Sequence, residues 1–117
     1  MLTTDGGPAA IMSFGVAGAT FTSADQSGAA AAVTDVPTTG SKLVVTDIEV
    51  SVSVACIVTF SEETSGTVVA KLYMPATSFA QITPRGKRKL ATANKRLMVR
   101  TDVASAIAVT AHYCSEV

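Results

Sequence analysis

The sequence predicts an all-β protein, a jelly-roll-like β-sandwich preceded by an extended N-terminal arm. Three observations carry that expectation. From Lys42 onward the chain is a series of short runs rich in Val, Thr and Ile, in which apolar and polar residues alternate with the two-residue period of a half-buried strand. The runs recur at spacings of about 8–12 residues, separated by polar, Gly- and Pro-containing turns, which is the pattern of a sandwich or jelly roll. Composition also breaks near Lys42, because residues 1–41 hold no Lys or Arg and read as a loose string of Ala, Gly, Ser, Thr and Asp. The expected organisation is an arm over 1–41, extended or disordered and ordering on assembly, and a β-sandwich domain over 42–117.

The arm comes first. Its glycines (Gly6, Gly7, Gly15, Gly18 and Gly28) and the alanine run at 29–32 are compatible with plain disorder. Against that, Ile11, Met12, Phe14, Val16 and Phe21 are apolar side chains that a purely solvated tail does not need. They are the candidate partner contacts, anchors that order on another protein's surface. One further strand is expected near residues 29–36.

The domain then opens at 42–45 and runs into a strand over 46–54, where Ile48, Val50, Val52 and Val54 share one parity and Asp47, Glu49, Ser51 and Ser53 the other. A bulge or bend is expected at 54–56, after which Cys56, Val58 and Phe60 point one way. The polar turn 61–66, closed by Gly66, joins this run to 67–74 as a hairpin, with Val68, Ala70, Leu72 and Met74 inward. Pro75 ends that strand because it cannot donate to a ladder. Short strands follow at 79–83 and 95–101, an extended piece at 87–90, and a closing strand at 106–113 with Ile107, Val109, Ala111 and Tyr113 on one face.

Length and composition narrow the function. At 117 residues there is room for one domain. Hydrophobic residues make up 48% but aromatic residues only 5%, so the core is thin and each side chain buries little area. Subunit contacts are the natural supplement, and a homo-oligomer, most simply a trimer, is expected. Formal net charge is zero, which disfavours nucleic-acid binding. No stretch approaches the roughly 18 apolar residues of a transmembrane helix, and the N-terminus lacks the basic region of a secretory signal. The chain is expected to be made in a cytoplasm, without a membrane partner.

No catalytic constellation is present in the pattern. The single histidine, His112, sits at the outward parity of its strand, and Glu62-Glu63 at a hairpin tip reads as solvated. Cys56 and Cys114 read as small buried or half-buried apolar residues, with a disulfide as the alternative. His112-x-Cys114 with Cys56 lacks the second close ligand pair of a zinc site, so no metal and no cofactor are expected.

The strings Lys42-Leu43-Val44-Val45-Thr46-Asp47-Ile48, Phe60-Ser61-Glu62-Glu63-Thr64-Ser65-Gly66-Thr67, Leu72-Tyr73-Met74-Pro75-Ala76, Ile82-Thr83-Pro84-Arg85-Gly86 and Val109-Thr110-Ala111-His112-Tyr113 resemble small structural proteins of tailed phages and prophages. The likeness runs from Val33 to the end. It implies a β-sandwich, often a jelly roll, that serves as a virion part: a capsid decoration (cement) protein docking to the major capsid protein, or a neck, tail or fibre component. The implied location is the virion, after synthesis in the host cytoplasm. A receptor- or carbohydrate-binding module is the alternative from a different class, since jelly rolls also host lectins. The scarcity of aromatics to stack on sugars weighs against it.

One charged feature remains. Seven of the nine cationic residues lie between Arg85 and Arg100, namely Arg85, Lys87, Arg88, Lys89, Lys95, Arg96 and Arg100, with no acid between Thr64 and Thr101. This is either a solvated edge that discourages strand pairing or an electrostatic docking edge for acidic groups on a capsid protein or sister subunit. Asp47, Glu49, Glu62 and Glu63 are then the acids on offer to a neighbour.

Overall fold

The computed structural model of the protein describes residues 17–83 and 88–116. Among the described residues the chain is all strand and turn. In order come β1 (Ala17–Ser23), β2 (Ala31–Ala32), β3 (Lys42–Val52), β4 (Cys56–Glu62), β5 (Val68–Met74), β6 (Ser78–Ile82), β7 (Arg88–Lys89), β8 (Leu97–Thr101) and β9 (Ile107–Glu116). One sheet has the order β1-β9-β3-β6, with the two-residue β7 also on β3, and the other has the order β2-β8-β4-β5.

All pairings are antiparallel, and they nest. β4 pairs β5, and outside that hairpin β3 pairs β6, β2 pairs β8 and β1 pairs β9. The chain is thus one long doubled hairpin, and the further pairings β3·β9 and β4·β8 roll it up. That is a jelly-roll sandwich.

The core lies between the two sheets and follows the alternation of the strands. Leu43, Val45, Ile48, Val50 and Val52 of β3 face Cys56, Val58 and Phe60 of β4, with Leu97 and Val99 of β8 and Ile107, Val109 and Ala111 of β9 completing the layer. Most of these side chains are β-branched, stiff at χ1 and suited to interdigitation between pleated faces. Phe60 is the largest of the fully buried side chains.

Two irregularities set which residues turn inward. Thr46 is extra in the β3·β9 ladder, where Val45 pairs Tyr113 and Asp47 pairs His112, and its Oγ1 donates to the His112 carbonyl at 3.0 Å. The bulge lets both Leu43-x-Val45 and Ile48-x-Val50 point into one core. Val69 is extra in the β4·β5 ladder, so it packs against the core while Val68, expected inward, is 48% exposed. Val54 was expected inward as well. It is 46% exposed, because the chain bends there to cross between the sheets.

The sandwich also begins earlier than the composition break suggests. β1 pairs β9 along its whole length and β2, within the expected stretch 29–36, pairs β8. β1 and β2 thus lie ahead of the expected boundary at Lys42 and are paired into the two sheets. Phe21, read from sequence as a free anchor, stands opposite Val109 and packs on the core.

Candidate functional site

The candidate arm contacts divide. Ile11, Met12, Phe14 and Val16 lie outside the described residues, as do Arg85 and Lys87 of the cationic cluster, and Phe21 belongs to β1. The rest of the cluster is spread over both sheets. Arg88 and Lys89 form β7 on the edge of β3, and Lys89 Nζ lies 3.7 Å from Glu116. Lys95 donates from Nζ to Thr64 Oγ1 at 3.1 Å, at the β4–β5 turn. Arg96 is paired with Glu63, and Arg100 points outward from β8. A run contiguous in sequence is thus dispersed, because the chain passes from one sheet to the other between β7 and β8.

The acids expected to be free for a neighbour are instead mostly engaged within the fold. Glu62 continues the inward parity of Val58 and Phe60 and is 3% exposed. Its carboxylate accepts from Ser65 Oγ at 2.8 Å and from the Thr92 amide at 2.7 Å. Burial pushes the Glu62 carboxyl up, but these hydrogen bonds and the nearby Lys95 outweigh it, and the net result is a value below the ordinary 4.5. The arrangement latches the β4–β5 turn to the loop before β8. Glu63 is clamped by one residue: Arg96 donates from its amide to Oε1 at 3.3 Å and from Nε to Oε2 at 3.1 Å, while the Glu63 amide donates back to the Arg96 carbonyl at 3.0 Å. The Arg96 hydrogen bonds hold the Glu63 carboxyl below its ordinary value. Neither residue is a solvated hairpin tip.

On the outward face of the β1-β9-β3-β6 sheet, Asp47 Oδ1 lies 2.6 Å from His112 Nδ1. The imidazole lies against Gly18, where an added Cβ would stand 3.4 Å from His112 Cδ2. The pair is half-exposed, on strands that register Asp47 opposite His112 and Gly18 opposite His112. This carboxylate orients an imidazole, and no hydroxyl or thiol hydrogen bond completes a nucleophile–base chain with it among the described residues. Near the other end of the same face an open groove of about 620 Å³ is lined by small side chains, including Thr22, Ser51, Ser53, Thr77 and Ala108.

The cysteines are both free, Cys56 buried and Cys114 half-buried. Burial pushes the Cys56 thiol up from 9.0, with Asp102 adding in the same direction. No group of three His, Cys, Asp or Glu that could hold a metal occurs among the described residues. No helix of the described residues is long and apolar enough to cross a membrane.

The outward face of the second sheet brings Arg100 together with residues to which sequence reasoning gave no role. Register places Tyr73 beside Ile57, and Lys71 and Arg100 on either side of Thr59. Lys71 stands alone in the sequence, so only the pairing of β5, β4 and β8 brings it near Arg100. Its outward parity in 67–74 was the one signal available.

No protein-family model matches this sequence, and no curated protein matches it significantly.

Proposed function

We propose that the protein is a structural virion protein of a tailed phage, a capsid decoration protein that stabilises the shell by docking to the major capsid protein. It works as a homo-oligomer, a trimer in its simplest closed form, and catalyses no reaction. The observation that carries this reading is a jelly-roll sandwich whose buried Glu62 carboxylate and half-exposed histidine serve internal contacts, Glu62 with Ser65 and Thr92 and His112 with Asp47. Such polar groups hold turns and strands together. Jelly rolls serve virus shells and lectins alike, so the fold does not select between them. The likeness of residues 33–117 to phage structural proteins favours the shell.

The test is attachment to particles. Purified protein mixed with undecorated heads of a phage that encodes it should co-sediment at a saturating stoichiometry and raise the temperature at which the heads rupture. Protein that stays in the supernatant at saturating concentration overturns the reading. Electron microscopy of decorated particles separates head from neck, tail or fibre. Binding to a glycan array without attachment to heads would favour the receptor- or carbohydrate-binding alternative. Removing residues 1–16 takes away Ile11, Met12, Phe14 and Val16 and leaves β1 in place. Each anchor that is buried on the shell is worth about 1.5–3 kcal/mol, so losing even one lowers affinity for heads roughly tenfold or more.

A further inference from the structure

The two outward faces of the sandwich differ in chemistry. On the β1-β9-β3-β6 sheet the cross-strand rows are Thr20, Thr110, Glu49 and Gln81, and then Thr22, Ala108, Ser51 and Phe79. Apart from Phe79 these side chains are small or polar, as expected of a face left to water. On the β2-β8-β4-β5 sheet the rows are Tyr73 with Ile57, Lys71 with Thr59 and Arg100, and Val68 with Ser61 and Met98. Tyr73 is 74% exposed and Val68 48%. An aromatic, a methionine and an arginine on one face are the residue types enriched where proteins meet.

Cations outnumber acids on this face, with Lys71 and Arg100 against Asp102, which lines one hollow with Thr59 and Arg100. Lys71 and Arg100 are exposed and make no ion pair among the described residues. Arg100 rests on the Ser27 carbonyl, at 3.4 Å from Nε and 3.3 Å from a terminal nitrogen. Asp102, two positions further on, accepts the Ile57 amide at 2.7 Å. Adjacent strands lie about 4.8 Å apart, which sets the Lys71 and Arg100 backbones roughly 10 Å apart across Thr59. Two long cationic side chains at that separation can reach neighbouring carboxylates from either side.

We propose that this face is the docking surface for an acidic patch of a partner protein. Tyr73 and Ile57 supply the apolar anchor, and Lys71 and Arg100 take the partner's carboxylates. Tyrosine and arginine are the side chains that most often dominate such contacts, and an unpaired cationic pair also steers an acidic surface into place. Nucleic acid fits the face less well, since it offers only two cations and one aromatic, where a strand needs a basic groove with successive stacking platforms. That the partner is a virion protein rests on the function proposed above; the chemistry of the face does not.

Isotope-labelled full-length protein titrated with poly-L-glutamate, followed by amide NMR, tests this. Saturable shifts are expected at Thr59, Lys71, Tyr73 and Arg100, with affinity falling severalfold as salt is raised. Lys71→Glu should weaken binding about tenfold, and Lys71→Glu with Arg100→Glu should abolish it, while the dispersed spectrum reports that both variants remain folded. Shifts absent from this face, or indifferent to charge reversal, overturn the proposal, as does a single-stranded oligonucleotide that binds the same residues more tightly than poly-L-glutamate. The same variants on phage heads separate the two readings. Undiminished attachment of the double variant sinks the docking face alone, whereas glutamate binding without any attachment to heads sinks the virion reading alone.

Discussion

Glu62 is the residue whose removal should be felt most for its size. A carboxylate 3% exposed, holding Ser65 and the Thr92 amide, ties two turns at one end of the sandwich. Glu62→Ala leaves the Thr92 N–H without its acceptor and should cost about 1–3 kcal/mol, read as a shift in the urea midpoint at constant slope. The pH dependence follows from the depressed carboxyls of Glu62 and Glu63. Their contribution is complete above the ordinary value of 4.5 and is lost as the pH falls from there through the folded-state values. Thermal melts should therefore drop on acidification below 4.5, and Glu63→Gln should flatten the drop. The two thiols should differ as well: Cys114 is expected to react with a soluble disulfide reagent in the native protein, and Cys56, 7% exposed with its thiol pushed up, only on unfolding. Equal rates would contradict the burial of Cys56.

At the scale of elements, β1 and the cationic run show where local pattern stops being informative. The strands from β3 onward were legible because Val and Ile mark one parity and Ser, Thr, Asp and Glu the other. β1 alternates too, with Ala19 and Phe21 turned in and Thr20 and Thr22 out, but Ala and Thr carry little contrast and its order depends on β9. The inward turn of Glu62 was likewise written in the parity of Val58 and Phe60, yet a charged pair beside Gly66 reads locally as a solvated tip. The cationic run is contiguous only along the chain, and no local pattern records that β7 and β8 belong to different sheets. Truncation separates the two kinds of N-terminal residue. Deleting residues 1–16 should leave the melting temperature nearly unchanged. Deleting residues 1–23 removes β1, uncovers the flank of β9 and the packing of Phe21, and should lower it by several degrees. Equal melting temperatures would mean that β1 adds nothing to the fold.

For the whole molecule, the nesting of pairs was beyond reach of sequence spacing, since partners such as Lys42 and Glu116 stand far apart along the chain and alternation alone does not choose between registers. Two-sheet architecture was within reach, because short alternating runs must bury one face each. What the sandwich cannot do is bury much: valine is the commonest residue of its described core, and Phe60 is its one fully buried aromatic ring. Small domains with thin cores gain from association. Sedimentation velocity at low micromolar concentration should accordingly find a closed oligomer, with three copies the simplest outcome. A folded monomer under those conditions would contradict it.

β9 is the last strand in sequence and a central one in space, flanked by β1 on one side and β3 on the other. At roughly 5–20 residues per second, the stretch between the end of β3 and the start of β9 takes several seconds to leave a ribosome. The β4–β5 hairpin can close almost as soon as it emerges, and β8 then completes its sheet. β3 must wait, with one flank unpaired and Leu43, Val45, Ile48 and Val50 only half covered. A nascent chain that has emerged only as far as the end of β8 holds one finished sheet and, opposite it, a β3 with an open flank and a β1 with no neighbour at all.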